Sequence, residues 1–249
     1  MKKILKITGW VLLSIILLVI GIAIFLQTPP GKRMVTRIAV DYLEKKFQTE
    51  VVIGSIDYKI PSMVGMEKVI FLDKNSDTLL SMNHLEVDIQ MLALLKNKLK
   101  ISNLELEGLY AKMKRNRNDS TFNYQFIIDA FASAHVDTLS KEEDTSASSM
   151  LYDIHKVLLK DITFIFDDEA GGTYFDIVLD SLLLRPKEID PAKMVYRVED
   201  LTVYKAQSVF RSFPAVLISP PDTSTGASPL ILEADKLNLI QSSYTMLTE

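Results

Sequence analysis

The sequence predicts a mainly β protein, in which an N-terminal transmembrane helix and a short amphipathic helix precede a long, curved antiparallel β-sheet built from a repeated pattern. Three observations carry this. A run of twenty uncharged, mostly apolar residues lies near the N-terminus, a basic stretch with helical spacing follows it, and from Val51 onward the apolar period changes from about 3.6 to 2.

The anchor comes first. From Ile7 to Leu26 the chain reads ITGWVLLSIILLVIGIAIFL, which as a helix rises about 30 Å and matches the hydrocarbon thickness of a bilayer. A cleaved signal peptide has an apolar core of about 7–15 residues and a small-x-small cleavage site. Here the run is longer, and Gln27-Thr28-Pro29-Pro30-Gly31 offers no such site. Residues 1–27 therefore read as a cytoplasmic tip and an uncleaved single-pass anchor. Lys2, Lys3 and Lys6 hold the N-terminus in the cytoplasm by the positive-inside tendency, and Trp10 suits an interfacial position.

In residues 28–50, Thr28-Pro29-Pro30 starts a helix whose apolar side carries Val35, Ile38, Ala39, Tyr42, Leu43 and Phe47. Lys32, Arg33, Arg37, Lys45 and Lys46 occupy much of the rest. A juxtamembrane amphipathic helix resting on lipid headgroups, or one plugging the end of a sheet, fits this pattern. An ordinary helix packed on a core fits it equally well.

From Val51 a six-residue pattern recurs, apolar-x-x-apolar-x-apolar. Its copies begin at Ile53, Met66, Met82, Ile101, Leu159, Leu179, Val198 and Ala234. Two consecutive polar or small residues shift the apolar parity by one, which on a pleated strand requires a bulge or bend to keep one face apolar. A repeated bulge implies repeated curvature, and the spacing suits long antiparallel strands joined by short turns. Turn residues stand at Asp73-Lys74-Asn75-Ser76-Asp77 and at Glu169-Ala170-Gly171-Gly172, and Met91 to Lys98 reads as one or two helical turns. The resulting division is a first β segment over 51–132, a polar flexible loop over 133–149 and a second β segment over 150–249. Ser219 to Pro229 reads as another loop. The last strand has no closing partner, which predicts that the sheet continues beyond this chain.

The rest of the composition bounds the function. The 249 residues are 48% hydrophobic, ample for a core. A net charge of −4, with no surplus of Lys and Arg gathered on one face, argues against a nucleic-acid partner. The absence of cysteine excludes a disulfide framework, a thiolate metal site and a cysteine nucleophile. His84, His135 and His155 share no ligand spacing, and the pairs Asp167-Asp168, Glu142-Glu143 and Glu199-Asp200 read as solvated turns, because adjacent strand residues face opposite ways. With no nucleophile elbow, phosphate loop or dinucleotide fingerprint, no enzyme, cofactor or metal is expected.

Asp77-Thr78-Leu79-Leu80 leading into Leu85-Glu86-Val87-Asp88-Ile89, then Leu104 to Gly108, and above all Phe122 to Phe131, resembles the N-terminal region of the TamB (translocation and assembly module) branch of the AsmA-like superfamily, in the style of its Bacteroidota members. The resemblance implies an inner-membrane, single-pass protein with its bulk in the periplasm, whose sheet forms an open, groove-like, greasy channel. It further implies partners: phospholipid acyl chains, and an Omp85-type outer-membrane barrel that would be bound through regions this chain lacks. The associated roles are moving phospholipid toward the outer membrane and assembling outer-membrane proteins.

The apolar positions of the repeat are the candidate groove lining: Ile56, Tyr58, Val69, Phe71, Leu85, Val87, Leu104, Leu106, Ile162, Phe164, Leu182, Leu184, Leu201, Val203, Leu237 and Leu239. Taken alone, alternating strands more commonly fill a closed sandwich core. The resemblance turns the expectation toward the groove. A scaffold that offers its sheet edge to unfolded outer-membrane strands is the alternative.

Overall fold

The N-terminal apolar run forms one helix, α1 (Lys2–Gln27), in a computed structural model that describes residues 2–59, 62–94, 98–136, 151–190, 194–215 and 231–248. Its Trp10–Gln27 stretch is long and apolar enough to cross a membrane, and none of it is buried against the rest of the chain. Thr28 ends it. In an extended conformation (φ −77°, ψ 157°), its Oγ1 accepts from Gly31 N–H at 3.3 Å and so caps α2 (Pro29–Phe47), with prolines in the first turn where no N–H is needed. At the other end Gln48 is left-handed (φ 53°), and Lys74 Nζ donates to the carbonyls of Phe47 at 2.7 Å and Gln48 at 3.1 Å, placing a cation on the helix C-terminus.

Among the described residues, thirteen strands make one sheet. They are β1 (Val51–Lys59), β2 (Met63–Leu72), β3 (Thr78–Ile89), β4 (Lys98–Glu107), β5 (Tyr110–Arg115), β6 (Leu151–Ile154), β7 (Val157–Asp168), β8 (Thr173–Asp190), β9 (Val195–Tyr204), β10 (Gln207–Ser212), β11 (Ile231–Ala234), β12 (Leu237–Ile240) and β13 (Ser243–Thr248). Several are segments of one longer strand: β3 pairs with both β4 and β5, and β8 pairs with both β9 and β10. Two short helices interrupt the strands, α3 (Met91–Leu94) and α4 (Gln125–Val136). Of the helix expected over Met91 to Lys98, α3 takes Met91–Leu94, residues 95–97 lie outside the described residues, and Lys98 opens β4. The polar loop expected from Ser133 begins inside α4, and its remainder, with Ser219 to Pro229, lies outside the described residues.

The sheet is mixed, not purely antiparallel. β4 pairs in parallel with β6 and β7, β5 with β7, β9 with β11 and β12, and β10 with β13. Each parallel pairing follows a long intervening stretch, residues 116–150 and 213–230, because a parallel neighbour requires the chain to return to the same end of the sheet, which a tight turn cannot do. The two β segments expected from sequence are joined by the first of these pairings.

The β1 edge is covered by α2. The Ile56 N–H donates to Thr36 Oγ1 at 3.1 Å, the Val51 N–H donates to Glu44 Oε1 at 3.3 Å, and Lys32 pairs with Asp57. Side chains of the helix thereby occupy edge donors that would otherwise invite another strand.

The six-residue pattern has a register explanation. Between Ile53↔Val69 and Ser55↔Glu67 the pairing skips Gly54 opposite Lys68, and between Val69↔Met82 and Glu67↔His84 it skips Asn83 opposite Lys68. The same interruption continues through Gly108, Asp161, Asp180, Lys205 and Gln241, so one line of broken pairing crosses all eight ribbons of the sheet. Lys68, Gly108, Asp161, Lys205 and Gln241 on this line have φ between 50° and 67°. The copies at Ile53, Met66, Met82, Leu159 and Leu179 fall here. Those at Ile101, Val198 and Ala234 fall on a second line, where β4, β9 and β11/β12 break pairing beside Pro186. On the first line the bulge or bend expected is not a bulge: no residue is inserted. At Lys68, Gly108, Asp161, Lys205 and Gln241 a left-handed residue turns the strand so that positions three apart face the same side, whereas Gly54, Asn83 and Asp180 opposite them break the pairing without one, and the register stays unchanged.

Candidate functional site: the apolar face of the sheet

Directly paired residues project to the same face, so the register assigns every strand position to a side. One transverse row reads Tyr58, Val64, Val87, Leu104, Val157, Leu184, Leu201 and Leu237, each paired with the next. The adjacent row reads Ile56, Met66, Leu85, Leu106, Leu159, Leu182, Val203 and Leu239. Across the line of broken pairing, Val69 and Ile162 begin the next row, and Phe71 and Phe164 lie in the one beyond it. All sixteen residues singled out from sequence sit on these four rows, on one face.

The opposite face has another character. One of its rows reads Ser55, Glu67, His84, Glu107, Lys160, Ser181, Tyr204 and Ile240, mostly polar but ending on an apolar residue. Here Lys160 pairs with Glu105, and that hydrogen bond holds the Glu105 carboxyl below its ordinary value.

Sequence reading missed several members of the apolar face. Val64 and Val157 lie off the six-residue pattern, and a fifth row, Met113, Phe166, Phe175, Phe210 and Met246, lies beyond Phe164. Simple alternation would have found them, carried back from Met66 to Val64 and from Leu159 to Val157, and outward from Phe164 to Phe166 and its row.

Two clusters anchor this face. The first joins Phe47 of α2 to Val51, Ile53 and Val69, with Val40, Leu43, Phe126, Ile127 and Ala130 of the helices packed over it. The second joins Ile162, Leu179, Val203 and Ala206, with Leu106, Leu159, Leu182 and Leu201 at its margin, and contains no helix residue among those described. α2 and α4 therefore cover the β1–β3 end, and most of the remaining rows are half-buried. Leu237 and Leu239 are 56% and 63% exposed, because their ribbon has a neighbour on one side only among the described residues. Between α2, α4 and the sheet lies a cavity of about 430 Å³ whose lining is almost wholly apolar, including Leu43, Phe71, Leu80, Met113 and Ile127.

Asp168 is not the solvated turn residue expected. It is 7% exposed and receives both Arg115 Nε at 2.7 Å and Arg115 Nη2 at 2.6 Å, which holds its carboxyl below the ordinary value. No group of His, Asp and Glu among the described residues could hold a metal ion.

A helix long and apolar enough to span a membrane, joined to a sheet with one continuous apolar face, is consistent with a membrane-anchored β protein whose chemistry is that of a surface. The chain belongs to the AsmA family, whose profile matches residues 1–183, from α1 into β8. No curated protein matches it.

Proposed function

We propose that α1 holds the chain in the bacterial inner membrane with its N-terminus in the cytoplasm, and that the apolar face is the start of a periplasmic hydrophobic groove carrying phospholipid toward the outer membrane, in the manner of the TamB branch. The observation that carries this reading is the unbroken apolar character of the rows from Tyr58 to Leu237 and from Ile56 to Leu239, crossing every ribbon at right angles to the strands. Family membership and the basic residues before α1 support the membrane setting. A two-chain lipid with about 30 methylenes exposes on the order of 25 kcal/mol of apolar surface to water, and an apolar track removes most of that cost. No residue acts as a catalyst, and no cofactor or metal takes part.

The test places a photoreactive residue at Val87, Leu106 or Phe164 in cells, with Glu105 and Thr163 on the opposite face as controls. Phospholipid attached at the first three positions alone supports the groove, and none at any position overturns it. A second reading, a scaffold for outer-membrane protein assembly that docks an Omp85-type barrel through other regions, is favoured by the β11–β13 ribbon, which among the described residues is paired on one side only and keeps Tyr244 and Met246 60% exposed.

A further inference from the structure

Two opposed apolar sides are carried by α2, and the groove uses only one of them. Val40, Leu43 and Phe47 pack toward the sheet. Met34, Ile38 and Tyr42, four residues apart on the other side, are 42%, 58% and 59% exposed. Arg33, Arg37 and Lys45 stand exposed beside them, against one exposed acid, Asp41, on a chain whose net charge is −4. None of these three cations enters an ion pair among the described residues.

The direction in which that second side faces follows from Gly31. A Cβ added there would lie 2.2 Å from the Phe25 carbonyl oxygen and 2.8 Å from Leu26 Cα, so this flank of α2 abuts the end of α1. In an uninterrupted helix Phe25 and Gly31 would be more than a turn and a half apart, so the chain turns at the extended Thr28 and the first turn of α2 folds back against the last residues of α1. Helical periodicity puts Gly31, Met34, Ile38 and Tyr42 on one flank. The exposed stripe therefore faces the side from which α1 arrives. Tyr58 confirms the proximity of β1 to the same end, its hydroxyl donating to the Leu26 carbonyl at 2.5 Å.

We infer that α2 lies in the surface of the bilayer that α1 enters, with Met34, Ile38 and Tyr42 at the boundary between headgroups and acyl chains and Arg33, Arg37 and Lys45 on anionic phospholipid headgroups. An amphipathic helix of this kind buries its apolar side about 5–10 Å into the boundary between headgroups and acyl chains, and each cation near an anionic surface adds to the attraction. Because the other side of α2 carries the first cluster, the β1 end of the apolar face is thereby fixed at the membrane. The inference does not depend on the sheet carrying lipid: failure of the cross-linking test leaves it standing.

The full chain has no cysteine, so Met34→Cys, Ile38→Cys, Tyr42→Cys and, as a control, the exposed Asn118→Cys each give a single site for an environment-sensitive fluorophore. The labelled protein is placed in nanodiscs of phosphatidylcholine with phosphatidylglycerol, with and without brominated acyl chains. Quenching several-fold stronger at 34, 38 and 42 than at 118 is expected, and Arg33→Glu with Arg37→Glu and Lys45→Glu should weaken it at 38 in these anionic discs but not in discs of phosphatidylcholine alone. Quenching at 34, 38 and 42 no stronger than at 118, while Trp10 in α1 is quenched and the β circular dichroism is intact, overturns the inference. So does protection of these sites from aqueous iodide without quenching by bromolipid, which would place a second protein copy on the stripe. Indifference to the charge reversals overturns the assignment of the cations to headgroups.

Discussion

Arg115 and Asp168 meet as a fork at the end of the parallel β5–β7 pair, with the guanidinium also 4.7 Å above the Phe122 ring. Phe122 in turn packs on Phe166 of the apolar face with ring centroids 5.5 Å apart. One ion pair thus ties together the first parallel crossover, the β7–β8 turn through Gly171 N–H at 2.9 Å, and the segment that leads into α4.

Breaking that pair should be costly, since both side chains are mostly buried, at 19% and 10% exposure. Asp168→Ala is expected to lose about 3 kcal/mol by leaving the guanidinium unpaired. The pH dependence has a definite sign: a carboxyl held below its ordinary value stabilises the fold fully above the unfolded value near pH 4, and that contribution is lost as pH falls through the lower folded value. Thermal melts across acid pH should show this extra loss in the parent and not in Asp168→Asn.

Glu105 and Lys160 provide the contrast. Their side chains are 29% and 40% exposed on the polar face, so Glu105→Gln should change stability by less than about 1 kcal/mol, although this carboxyl too is held low by its partner. A shift comparable to that of Asp168→Ala in denaturant titration would contradict this ranking.

The line of broken pairing predicts effects of opposite sign. Gly108 has φ 67°, and a Cβ there would lie 2.2 Å from Asn83 Nδ2, so Gly108→Ala should cost about 2 kcal/mol. Lys68 is exposed at φ 52° and gains from the reverse change: Lys68→Gly should stabilise by about 1 kcal/mol. Equal and unfavourable shifts for both in chemical denaturation would rule out left-handed strain as the cause.

Phe47 links α2, the sheet and α4, with its ring 6.0 Å from Phe71 and 6.2 Å from Phe126. Phe47→Ala should lose about 4 kcal/mol and, beyond that, release α4. Amide exchange in residues 125–131 should rise well before exchange in β7 and β8, which belong to the other cluster. Uniform acceleration would show instead that the two clusters open together.

If the apolar face carries acyl chains, a single charge should interrupt it. Leu106→Asp is expected to reduce lipid cross-linking at Phe164 about tenfold or more, equivalent to at least 1.4 kcal/mol, whereas Glu107→Asp on the opposite face should not. Mass spectrometry of the cross-linked chain reads the difference.

The long apolar helix, the switch from helical to strand period and the sidedness of nearly every strand are legible in local sequence, because each is a local consequence of helix rise or pleat alternation. The sequence also marked where the strands break, since two polar residues in succession must be accommodated somewhere. Tertiary structure alone decided which ribbons are neighbours. The placing of Gly108 beside Asp161, and of Lys205 beside Gln241, depends on how residues 116–150 and 213–230 return the chain, and nothing within six residues encodes that. The same holds for Asp168, which local sequence marks as a turn acid and which a partner 53 positions away turns into a buried ion pair. It holds for α2 as well. The amphipathic pattern permits a packed helix or an interfacial one, and only the contacts of Phe47 with the sheet and of Gly31 with the end of α1 show which side meets which. Local periodicity is enforced by backbone geometry, whereas neighbour choice is set by chain return and side-chain fit over long separations, where short-range pattern carries no constraint.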